Sequence, residues 1–491
     1  ARGREPNEII SIDSFGADPT GATDSTVAIQ AAFTAAARSY ASYGIDGNAN
    51  LTATQKSEMN SHLPKVQKVE FSAGGVYVIN DQLAVPTNWW GIIEGNGATI
   101  IWNGTDPTKS MFYMHNAREL RMQNFWLWSY AGKPLETMIK LDRETGGITP
   151  TAMMFSNIKI YCHQDGCKYG IRIAAPSPGG NHEFNYFENV HVNDYTETAF
   201  SIEDSQSKAN IFINSSFNPA ERGKRGVGLW HPERPGSNGS FYWFGGGGGS
   251  NTVADFQIGA PIENMIIDGG KFENSTRLLS TPFWEVLTGL VGTDPGATLT
   301  MTTPAGTAYV LDAVSQPVSN AGYTYAYPAN KDTYDLLNNN GSITHYSINN
   351  GAAFDADLPG SGTFTQKVVT NGTEITSVTA LGGRHMSSTG SASTALTIKN
   401  LGWSSDNEPP DGNFINWGMA GPLTMIGNVF RTKTTHGQIS VYCSTTGTNT
   451  CGTVTSLGNS WITYLSSVWP SFKTRVKLDR GDSVYGTSGA E

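Results

Sequence analysis

Charged residues are scarce in this sequence of 491 residues: Asp, Glu, Lys and Arg together make up 15%, against a usual share of about 25%. The formal net charge is -10, which argues against nucleic acid as a partner because a phosphate backbone is bound by clustered cations. No run of about twenty apolar residues occurs, so we expect no membrane insertion. We also expect no secretion signal at the start, with Ala1 marking the edge of a mature or a truncated fragment that lacks the true N-terminus.

Cysteine is equally rare. The four cysteines form two local pairs, Cys162 with Cys167 and Cys443 with Cys451. A zinc site shared by both pairs would need distant segments to converge, so two disulfides or free thiols are favoured. Disulfides would place the protein in an oxidising compartment. No segment has the ligand spacing of an EF-hand, so no metal site or cofactor is predicted, and calcium is kept as the alternative because acidic outward positions are common.

Turn-forming residues, by contrast, are abundant, with 56 glycines and many Asn, Ser and Thr residues. Five segments share an Asn followed by an apolar, any, and an apolar residue; they begin at Asn124, Asn157, Asn189, Asn210 and Asn264. A second strand-like triplet follows in the earlier segments, beginning at Ile139, Ile171, Phe200 and Val227. Two short strands in each repeat of roughly thirty residues predict a solenoid of stacked parallel strands.

Alternation along these strands predicts which side chains face the interior. The inward pairs are Phe125 and Leu127, Ile158 and Ile160, and Val190 and Val192. The outward column on the first strand is Trp126, Lys159, His191 and Phe212, and on the second strand it is Lys140, Arg172, Ser201 and Gly228. Stacked Asn amides are expected to hydrogen-bond from coil to coil.

The Asn pattern stops after Asn264 and returns at Asn400, Asn428 and Asn459. Strand-like runs between turn residues fill the interval, which predicts a β-rich insertion. We therefore divide the chain into residues 1–60 with a capping helix, 61–282 as the parallel β-helix, 283–392 as the insertion, and 393–491 as C-terminal coils with a terminal segment.

A helix is predicted near the start of the sequence. Asp24 or Ser25 can cap it, and Ile29, Phe33 and Ala37 recur at four-residue spacing. Because an uncapped solenoid would expose its interior, we expect Ile29 and Phe33 to cover the N-terminal end of the coil stack.

The stretch FGADPTGATDSTVAIQAAF, residues 15–33, resembles the opening motif of the pectate-lyase-like superfamily, and the coils after it resemble that fold over most of the chain. The resemblance implies an all-β fold, a right-handed single-stranded parallel β-helix with an N-terminal capping helix and an inserted β-rich region. The aspartates of the motif are structural in those families, so Asp18 and Asp24 are not assigned a catalytic role.

Within the superfamily, the acidic, Asn- and Gly-rich chain is most similar to bacteriophage tailspikes. The resemblance implies a homotrimer in the virion tail, outside the host cell, joined to the phage baseplate or tail through a region N-terminal to this sequence. Its partner would be a bacterial surface polysaccharide, an O-antigen, capsule or exopolysaccharide, which it would depolymerise, with a lyase slightly favoured over a glycoside hydrolase. Two alternatives are a secreted, monomeric pectinase-like lyase or hydrolase, and a non-catalytic glycan-binding β-helix.

Charged and aromatic residues concentrate on adjacent coils between positions 200 and 243. The predicted catalytic residues are Glu203, Asp204, His231 and Glu233, and the predicted substrate-binding residues are Arg172, His191, Arg225, Trp230, Arg234, Tyr242 and Trp243. Paired carboxyls suit glycoside hydrolysis. A base together with a cation suits elimination beside a sugar carboxylate. The indole and phenol rings offer flat faces for sugar rings.

Overall fold

The structure is a computed structural model. It describes residues 9–36, 49–56, 68–86, 89, 91–115, 117–130, 132–142, 151–163, 166–174, 182–203, 207–219, 227–231, 240–251, 254–258, 265–275, 277–280, 284–287, 298–302, 308–314, 324–326, 333–339, 342–348, 362–370, 373–381, 383–384, 395–405, 414–416, 422–432, 441–442, 454–463, 476–478 and 483–486. Between residues 284 and 384 the description is of the backbone alone.

The described chain is dominated by β-strands, with an α-helix α1 (Thr26–Ala36), a single helical turn at residues 53–56, and a 3-10 helix at Ile12–Phe15. The first strands are β1 (Ile10–Ser11), β2 (Thr20–Asp24), β3 (Lys68–Glu70), β4 (Val76–Ile79), β5 (Leu83–Ala84), β6 (Ile92–Trp102), β7 (Ser110–His115), β8 (Arg121–Ser129), β9 (Leu135–Asp142), β10 (Met154–Cys162), β11 (Cys167–Ile173), β12 (Tyr186–Tyr195), β13 (Thr198–Ile202), β14 (Asn210–Ile213), β15 (Ser216–Pro219), β16 (Val227–His231), β17 (Phe241–Phe244), β18 (Gly247–Gly249) and β19 (Ala254–Ile258).

The remaining strands continue to the last described residues. They are β20 (Met265–Asp268), β21 (Lys271–Glu273), β22 (Leu279–Ser280), β23 (Trp284–Leu287), β24 (Thr298–Thr302), β25 (Ala308–Val314), β26 (Thr324–Ala326), β27 (Thr333–Asn339), β28 (Ser342–Ile348), β29 (Gly362–Thr370), β30 (Thr373–Leu381), β31 (Gly383–Arg384), β32 (Leu396–Lys399), β33 (Gly402–Ser405), β34 (Ile415–Asn416), β35 (Leu423–Ile426), β36 (Val429–Thr432), β37 (Val441–Tyr442), β38 (Val454–Leu457), β39 (Ser460–Thr463), β40 (Val476–Leu478) and β41 (Ser483–Gly486).

The chain forms two compact units, residues 1–228 with 239–248, and residues 229–238 with 249–491. In the first unit, successive strands alternate between two parallel sheets. Strands β6, β8, β10 and β12 pair in one sheet, and strands β7, β9, β11 and β13 pair in the other. This alternation is that of a parallel β-helix, and the predicted all-β fold class is confirmed.

The interior of the first unit is filled as the alternation predicted. Phe125, Leu127, Ile158, Ile160, Val190 and Val192 all have exposures of 0 or 1%. A row of aromatic rings crosses four coils inside the stack: Phe155 on Phe187, Phe187 on Phe212, and Phe212 on Trp243, with centroids 5.2, 4.7 and 5.3 Å apart. Such offset aromatic stacking adds to the free energy gained by burial.

Helix α1 covers the N-terminal end of this interior. Ile29 and Phe33 are fully buried, and the Phe33 ring lies 5.7 Å from Trp89 and 6.5 Å from Phe112 between centroids. The carboxylate of Asp24 accepts hydrogen bonds from the Thr26 amide and hydroxyl, which satisfies an amide of the first helical turn. The predicted capping helix is therefore confirmed.

The turn before this helix is held by Asp18. Its two carboxylate oxygens accept the amide and hydroxyl of both Thr20 and Thr23, and these hydrogen bonds, those from Thr20 above all, lower the pKa of Asp18 to about 2. The motif aspartates thus accept hydrogen bonds from the chain's own turn and helix and, at Asp24, from the Asn80 backbone amide at 3.2 Å.

In the second unit, strand β20 pairs in parallel register with β32, so that Met265 lies opposite Leu396 and Asp268 opposite Lys399. Strands β35, β38 and β40 continue this sheet. Between β22 and β32 the strands pair antiparallel, in a four-stranded order β27-β28-β23-β31 and a five-stranded order β26-β25-β24-β29-β30. An inserted β-rich region is therefore present, as the sequence predicted.

The Asn residues of the second unit fill two different positions. Asn400 has a φ of 54°, and Gly427 and Gly458 take the same left-handed conformation in later coils. Asn428 and Asn459 follow those glycines and are fully buried, with the Asn428 amide groups donating to Asn459 Oδ1 at 2.8 and 2.9 Å. The predicted return of the Asn repeat is found, but Asn428 and Asn459 lie one position after the turn residue.

Candidate functional site

The outward column Trp126, Lys159 and His191 lies on three neighbouring coils of the first unit. Lys159 is directly opposite Trp126 on one side and His191 on the other. The Lys159 ammonium lies 4.4 Å from the centroid of the Trp126 ring, a distance that permits a cation–π contact. The predicted register of these three residues is confirmed.

A ladder of asparagines borders the same column. Asn124, Asn157 and Asn189 have φ values of 64, 53 and 52°, a left-handed conformation that Asn tolerates better than most residues. The Asn157 amide donates to Asn124 Oδ1 at 3.2 Å, and the Asn189 amide donates to Asn157 Oδ1 at 3.1 Å. The expected coil-to-coil Asn hydrogen bonds are therefore present.

A buried carboxylate closes one end of this ladder. Glu94 accepts the Asn124 amide at 2.8 Å, the Gln123 amide at 2.6 Å and the Asn96 backbone amide at 3.0 Å. Burial alone would raise the pKa of Glu94, but these hydrogen bonds lower it overall. Glu94 is therefore ionised, and its carboxylate holds the side-chain amide of Asn124, the first Asn of the ladder.

The column and the ladder together form an open groove of about 480 Å³. Its lining residues are Asn96, Gly97, Asn124, Trp126, Asn157, Lys159, Asn189 and His191. The groove thus offers amide donors and acceptors, one indole, one ammonium and one imidazole to a ligand. This is the chemistry that sugar hydroxyls, sugar rings and a sugar carboxylate require.

The two ionisable groups of the groove differ in charge. Among the described residues Lys159 forms no ion pair with an acidic side chain, so its charge is available to a ligand. Burial, and next the positive charge of Lys159, lower the pKa of His191 below its ordinary value of 6.5. His191 Nδ1 lies 2.6 Å from the Ser216 hydroxyl. The lowered pKa favours the neutral form of His191 at pH 7, and Nδ1 shares its hydrogen bond with Ser216.

Aromatic side chains continue outward from Trp126 along the same surface. We call Trp128, Tyr130, Tyr161 and His163 the aromatic ridge. Tyr161 stacks on Trp128 with centroids 4.8 Å apart and lies nearly parallel to Trp126 at 5.9 Å. Trp126 and Tyr130 are among the exposed large hydrophobic residues, at 38 and 41%. The ridge is thus an ordered aromatic surface that adjoins the groove.

A second cluster of charges lies on the other sheet. Arg172 donates from Nε and Nη2 to the two carboxylate oxygens of Glu203, at 2.6 and 2.8 Å, and from Nη1 to Glu136 at 2.7 Å. The Ser201 hydroxyl donates to the same Glu203 oxygen as Arg172 Nε. The Glu203 side chain has 0% exposure, so both of its oxygens are occupied by the chain itself.

Further charges surround this pair. Lys140 lies 3.2 Å from Glu136 and 3.8 Å from Asp142, and Tyr113 donates to Asp142 at 3.4 Å. Burial by itself would lower the pKa of Arg172, but the adjacent carboxylate of Glu203 raises it overall. The predicted alignment of Lys140, Arg172 and Ser201 is confirmed by the strand register.

The structure places the predicted site residues unevenly. Glu203 lies buried against Arg172, and His191 lies in the groove on the other sheet, so the two are parts of different clusters. Asp204, Arg225, Glu233 and Arg234 lie outside the described residues, as does the Cys443–Cys451 pair. His231 is described only as the last backbone position of β16. The grouping of Glu203 with the three other predicted catalytic residues therefore stays a prediction.

Three predictions about aromatic residues need correction. Trp243 has 0% exposure, because it is the last ring of the interior aromatic row, and Trp230 has 2% exposure. Neither can offer a face to a sugar ring. Phe212 is also interior, at 1% exposure. Tyr242 is partly exposed, and its role stays a prediction.

The misplaced Phe212 has a register explanation. Strand β14 places Phe212 opposite Phe187, and His191 instead lies opposite Ser216. The left-handed turn residue of that coil is Asn214, with a φ of 49°, whereas Asn210 is buried and accepts a 2.9 Å hydrogen bond from Asn185. A similar shift applies to Val227, whose amide donates to Glu197 O and thus lies beside Thr198 rather than Phe200.

The aromatic ridge was not predicted from the sequence. Trp126, in the predicted outward column, alternates with buried residues along β8, and Trp128 and Tyr130 continue this alternation to the end of the strand and just past it. Period-two alternation therefore indicates an outward position for Trp128 and Tyr130 as well. Cys162 and Cys167, for which the sequence left a disulfide and free thiols open, form a disulfide beside the ridge, with the two Cα atoms 4.8 Å apart.

Among the described residues, no group of three or more His, Cys, Asp or Glu side chains has an arrangement that could hold a metal ion. In the same part of the chain no helix has the length and apolar character needed to cross a membrane.

The chain matches no protein-family model and no curated protein. Among solved structures it resembles a tailspike protein mutant of E. coli bacteriophage HK620 in complex with a hexasaccharide, with a TM-score of 0.47 and 9% identity over 97% of this chain and 66% of that chain. It thus spans slightly less than two thirds of that tailspike. It also resembles an iota-carrageenase complexed to iota-carrageenan fragments, with a TM-score of 0.42 and 10% identity over 100% of this chain and 95% of that chain.

A third similar structure is PfbA, a surface adhesin of Streptococcus pneumoniae, with a TM-score of 0.34 and 9% identity over 98% of this chain and 93% of that chain. All three TM-scores are below 0.5. The function is therefore inferred from the geometry of the chain itself.

Proposed function

We propose that this chain binds an acidic polysaccharide in the groove and cleaves it by elimination. The observation that carries the proposal is one column on three coils that presents an exposed indole, an ammonium without a described acidic partner, and an imidazole whose pKa is lowered. Trp126 would take a sugar ring on its exposed part, Lys159 would pair with a sugar carboxylate, and His191 would act as the base.

The reaction follows from these roles. His191 Nε2 removes the proton from the carbon beside the carboxylate, and the electron pair forms a carbon–carbon double bond as the glycosidic oxygen leaves. Water protonates the leaving oxygen, and the hydroxide that remains takes the proton from the His191 imidazolium, which restores the neutral base. Lys159 stabilises the negative charge that develops on the carboxylate during proton removal, as a preorganised cation in a partly desolvated site can.

Two observations weigh against hydrolysis through Glu203. A hydrolase needs one carboxyl free to protonate the leaving oxygen and a second that acts as base or nucleophile, but both Glu203 oxygens are bound by Arg172 and Ser201. Glu203 also lies in the cluster on the other sheet. The geometry therefore favours elimination in the groove.

At the level of assembly, we propose a homotrimeric tailspike that works in a virion tail on an O-antigen, capsule or exopolysaccharide. A trimer would bury further surface between its stacks and unfold only as the chains separate. Light scattering on the purified chain tests this assembly. A trimer that resists detergent is expected, and a monomer at micromolar concentration would favour a secreted, monomeric enzyme instead.

The test of the reaction uses purified bacterial surface polysaccharides and the wild-type chain. Elimination predicts an increase in ultraviolet absorbance from the unsaturated product, together with new reducing ends. His191→Ala should lower turnover at least about a hundredfold, and Lys159→Met should weaken binding of acidic polymers. Lys168→Met is the matched control because the Lys168 side chain is 55% exposed and lies on the other sheet.

Three other results would contradict elimination in the groove. New reducing ends without the ultraviolet signal would show hydrolysis and contradict the role of His191. Binding without either signal would show a non-catalytic glycan-binding β-helix. Full turnover in the His191→Ala variant would remove the groove from the reaction.

A further inference from the structure

The groove and the aromatic ridge extend in different directions. Asn124, Asn157 and Asn189 lie on successive coils, so the groove follows the axis of the coil stack. Trp126, Trp128 and Tyr130 lie along β8 and its end, so the ridge follows the strand direction. Coils are about 4.8 Å apart and a strand rises about 3.3 Å per residue, so the rows extend about 10 Å and about 13 Å from their meeting point at Trp126.

We propose that the site takes a branched polysaccharide, with the main chain in the groove and a side branch on the aromatic ridge. The inference rests on the proposed function and adds to it the class of substrate. A linear glycan that follows the Asn ladder would leave Tyr130 and the outer part of the ridge uncovered, since they lie to one side of the ladder.

The rings of the ridge are held in place before any ligand binds. Tyr161 is stacked against Trp128 at an interplanar angle of 26° and lies at 13° to Trp126. The Cys162–Cys167 disulfide begins at the residue after Tyr161. A surface of fixed aromatic rings loses little side-chain entropy on binding, which favours ligand recognition.

The polar groups at the outer end of the ridge indicate a hydroxylated ligand. His163 lies edge-on to the Tyr130 ring, with centroids 6.4 Å apart, and its Nδ1 is 3.9 Å from Asp194 Oδ2. Lys159 lies at the inner end, over Trp126. Rings flanked by hydrogen-bonding groups suit the apolar faces and equatorial hydroxyls of a sugar, whereas a second copy of the chain would have to desolvate these ionisable groups.

The experiment compares a branched polysaccharide with its debranched form. The wild-type chain is first screened against purified bacterial surface polysaccharides, linear and branched. One bound polymer is then tested by calorimetry before and after its side residues are removed enzymatically. The variants are Tyr130→Ser and Tyr161→Ser on the ridge, Lys159→Met in the groove, and Phe184→Ser as the control, because Phe184 is 61% exposed and is not part of the ridge.

Wild-type chain should bind the native polymer at least about tenfold more tightly than the debranched polymer. Tyr130→Ser and Tyr161→Ser should each remove most of this difference and leave affinity for the debranched polymer unchanged. Lys159→Met should weaken binding of both forms, and Phe184→Ser should change neither. Unchanged melting temperatures for Tyr130→Ser would show that the fold is intact.

Three outcomes would overturn the inference. Equal affinity of the wild-type chain for native and debranched polymer would refute the branch and leave the proposed function standing. A loss of oligomeric mass in Tyr130→Ser would make the ridge a contact between copies of the chain. Failure of the wild-type chain to bind any polysaccharide would refute the proposed function itself.

Discussion

Arg172 and Glu203 form a two-point hydrogen-bonded ion pair in which the carboxylate has no exposure to solvent. Removing one member of a buried ion pair costs about 3–5 kcal/mol, because the other charge is left unpaired. The pair therefore has a structural role in the first unit.

Glu203→Gln is expected to lower the free energy of unfolding by about 3 kcal/mol. Urea denaturation followed by circular dichroism measures the change. Lys168→Met is the control, since its ion pair with Glu197 has a lysine that is 55% exposed and exposed pairs contribute less than about 1 kcal/mol. A stable Glu203→Gln variant that has lost turnover would instead support the catalytic role predicted for Glu203 from the sequence.

Helix α1 provides a second matched pair of positions. Ile29 is fully buried, and Val27, two residues earlier on the same helix, is 80% exposed. Ile29→Asp should destabilise the chain by about 4 kcal/mol or more, because it buries an unpaired charge at the capped end. Val27→Asp should change stability by less than about 0.5 kcal/mol. Equal melting temperatures for the two variants would show that the helix does not act as a cap.

The Asn ladder predicts a difference between two substitutions at one position. Asn157→Gly keeps the left-handed backbone and loses the side-chain amide, whereas Asn157→Ala loses the amide and is also strained at a φ of 53°. The Ala variant should therefore be less stable than the Gly variant by about 1 kcal/mol. Ala152, with a φ of 54°, gives the reverse control, since Ala152→Gly should raise stability by up to about 1 kcal/mol. Chemical denaturation gives the free energy of unfolding of each of the three variants. Equal values for Asn157→Ala and Asn157→Gly would contradict the strain expected at this position.

Asp255 in the second unit predicts a pH dependence of stability. It is fully buried and accepts hydrogen bonds from Ser275, Asn251 and Trp403, and burial raises its pKa from 3.8 to about 7. The folded chain thus holds a proton that the unfolded chain releases at about pH 4. The stabilising contribution is complete below about pH 4 and is lost as the pH rises to about 7.

The measurement is the melting temperature between pH 4 and pH 8, followed by tryptophan fluorescence because Trp403 contacts Asp255. Asp255→Asn should reduce the fall of the melting temperature between pH 4 and pH 8. Asp106→Asn, at an exposed turn, should leave that fall unchanged. The same slope in the wild-type chain and in Asp255→Asn would assign the pH dependence to other groups.

His191 predicts a pH profile for turnover. A base whose pKa lies below 6.5 is deprotonated at neutral pH, so kcat/KM should rise with pH through that lowered pKa and then stay constant. Lys159 contributes to the lowering, so Lys159→Met should move the acidic limb to higher pH. An acidic limb that does not move in this variant would show that the limb belongs to another group.

Much of the fold could be predicted from the sequence, because strand alternation and left-handed Asn residues both repeat with the coil. Phe125, Ile158 and Val190 were placed correctly for this reason. The prediction failed at Asn210, since a buried Asn that bonds to Asn185 has the same neighbours in sequence as a turn Asn. From the coil of Asn210 onward, the predicted outward column is therefore out of register. Phe212 was placed opposite His191 on the outer face, whereas Ser216 occupies that position.

The candidate site was predicted only in part. His191 and Arg172 were predicted to bind substrate. The predicted grouping around Glu203 did not account for the Arg172 guanidinium, which donates to both Glu203 carboxylate oxygens. That contact depends on side-chain rotamers rather than on spacing. Trp243 was misjudged because aromatic residues serve the interior and the surface equally well, and only its stacking on Phe212 separates the two.

The insertion between β22 and β32 leaves the pairing of Met265 with Leu396 undisturbed. The turn between β22 and β32 therefore accommodates a long inserted segment while the strands that precede and follow it keep their parallel register. A segment replaced at this turn can add new surface to the coil stack without changing any side chain that fills the interior.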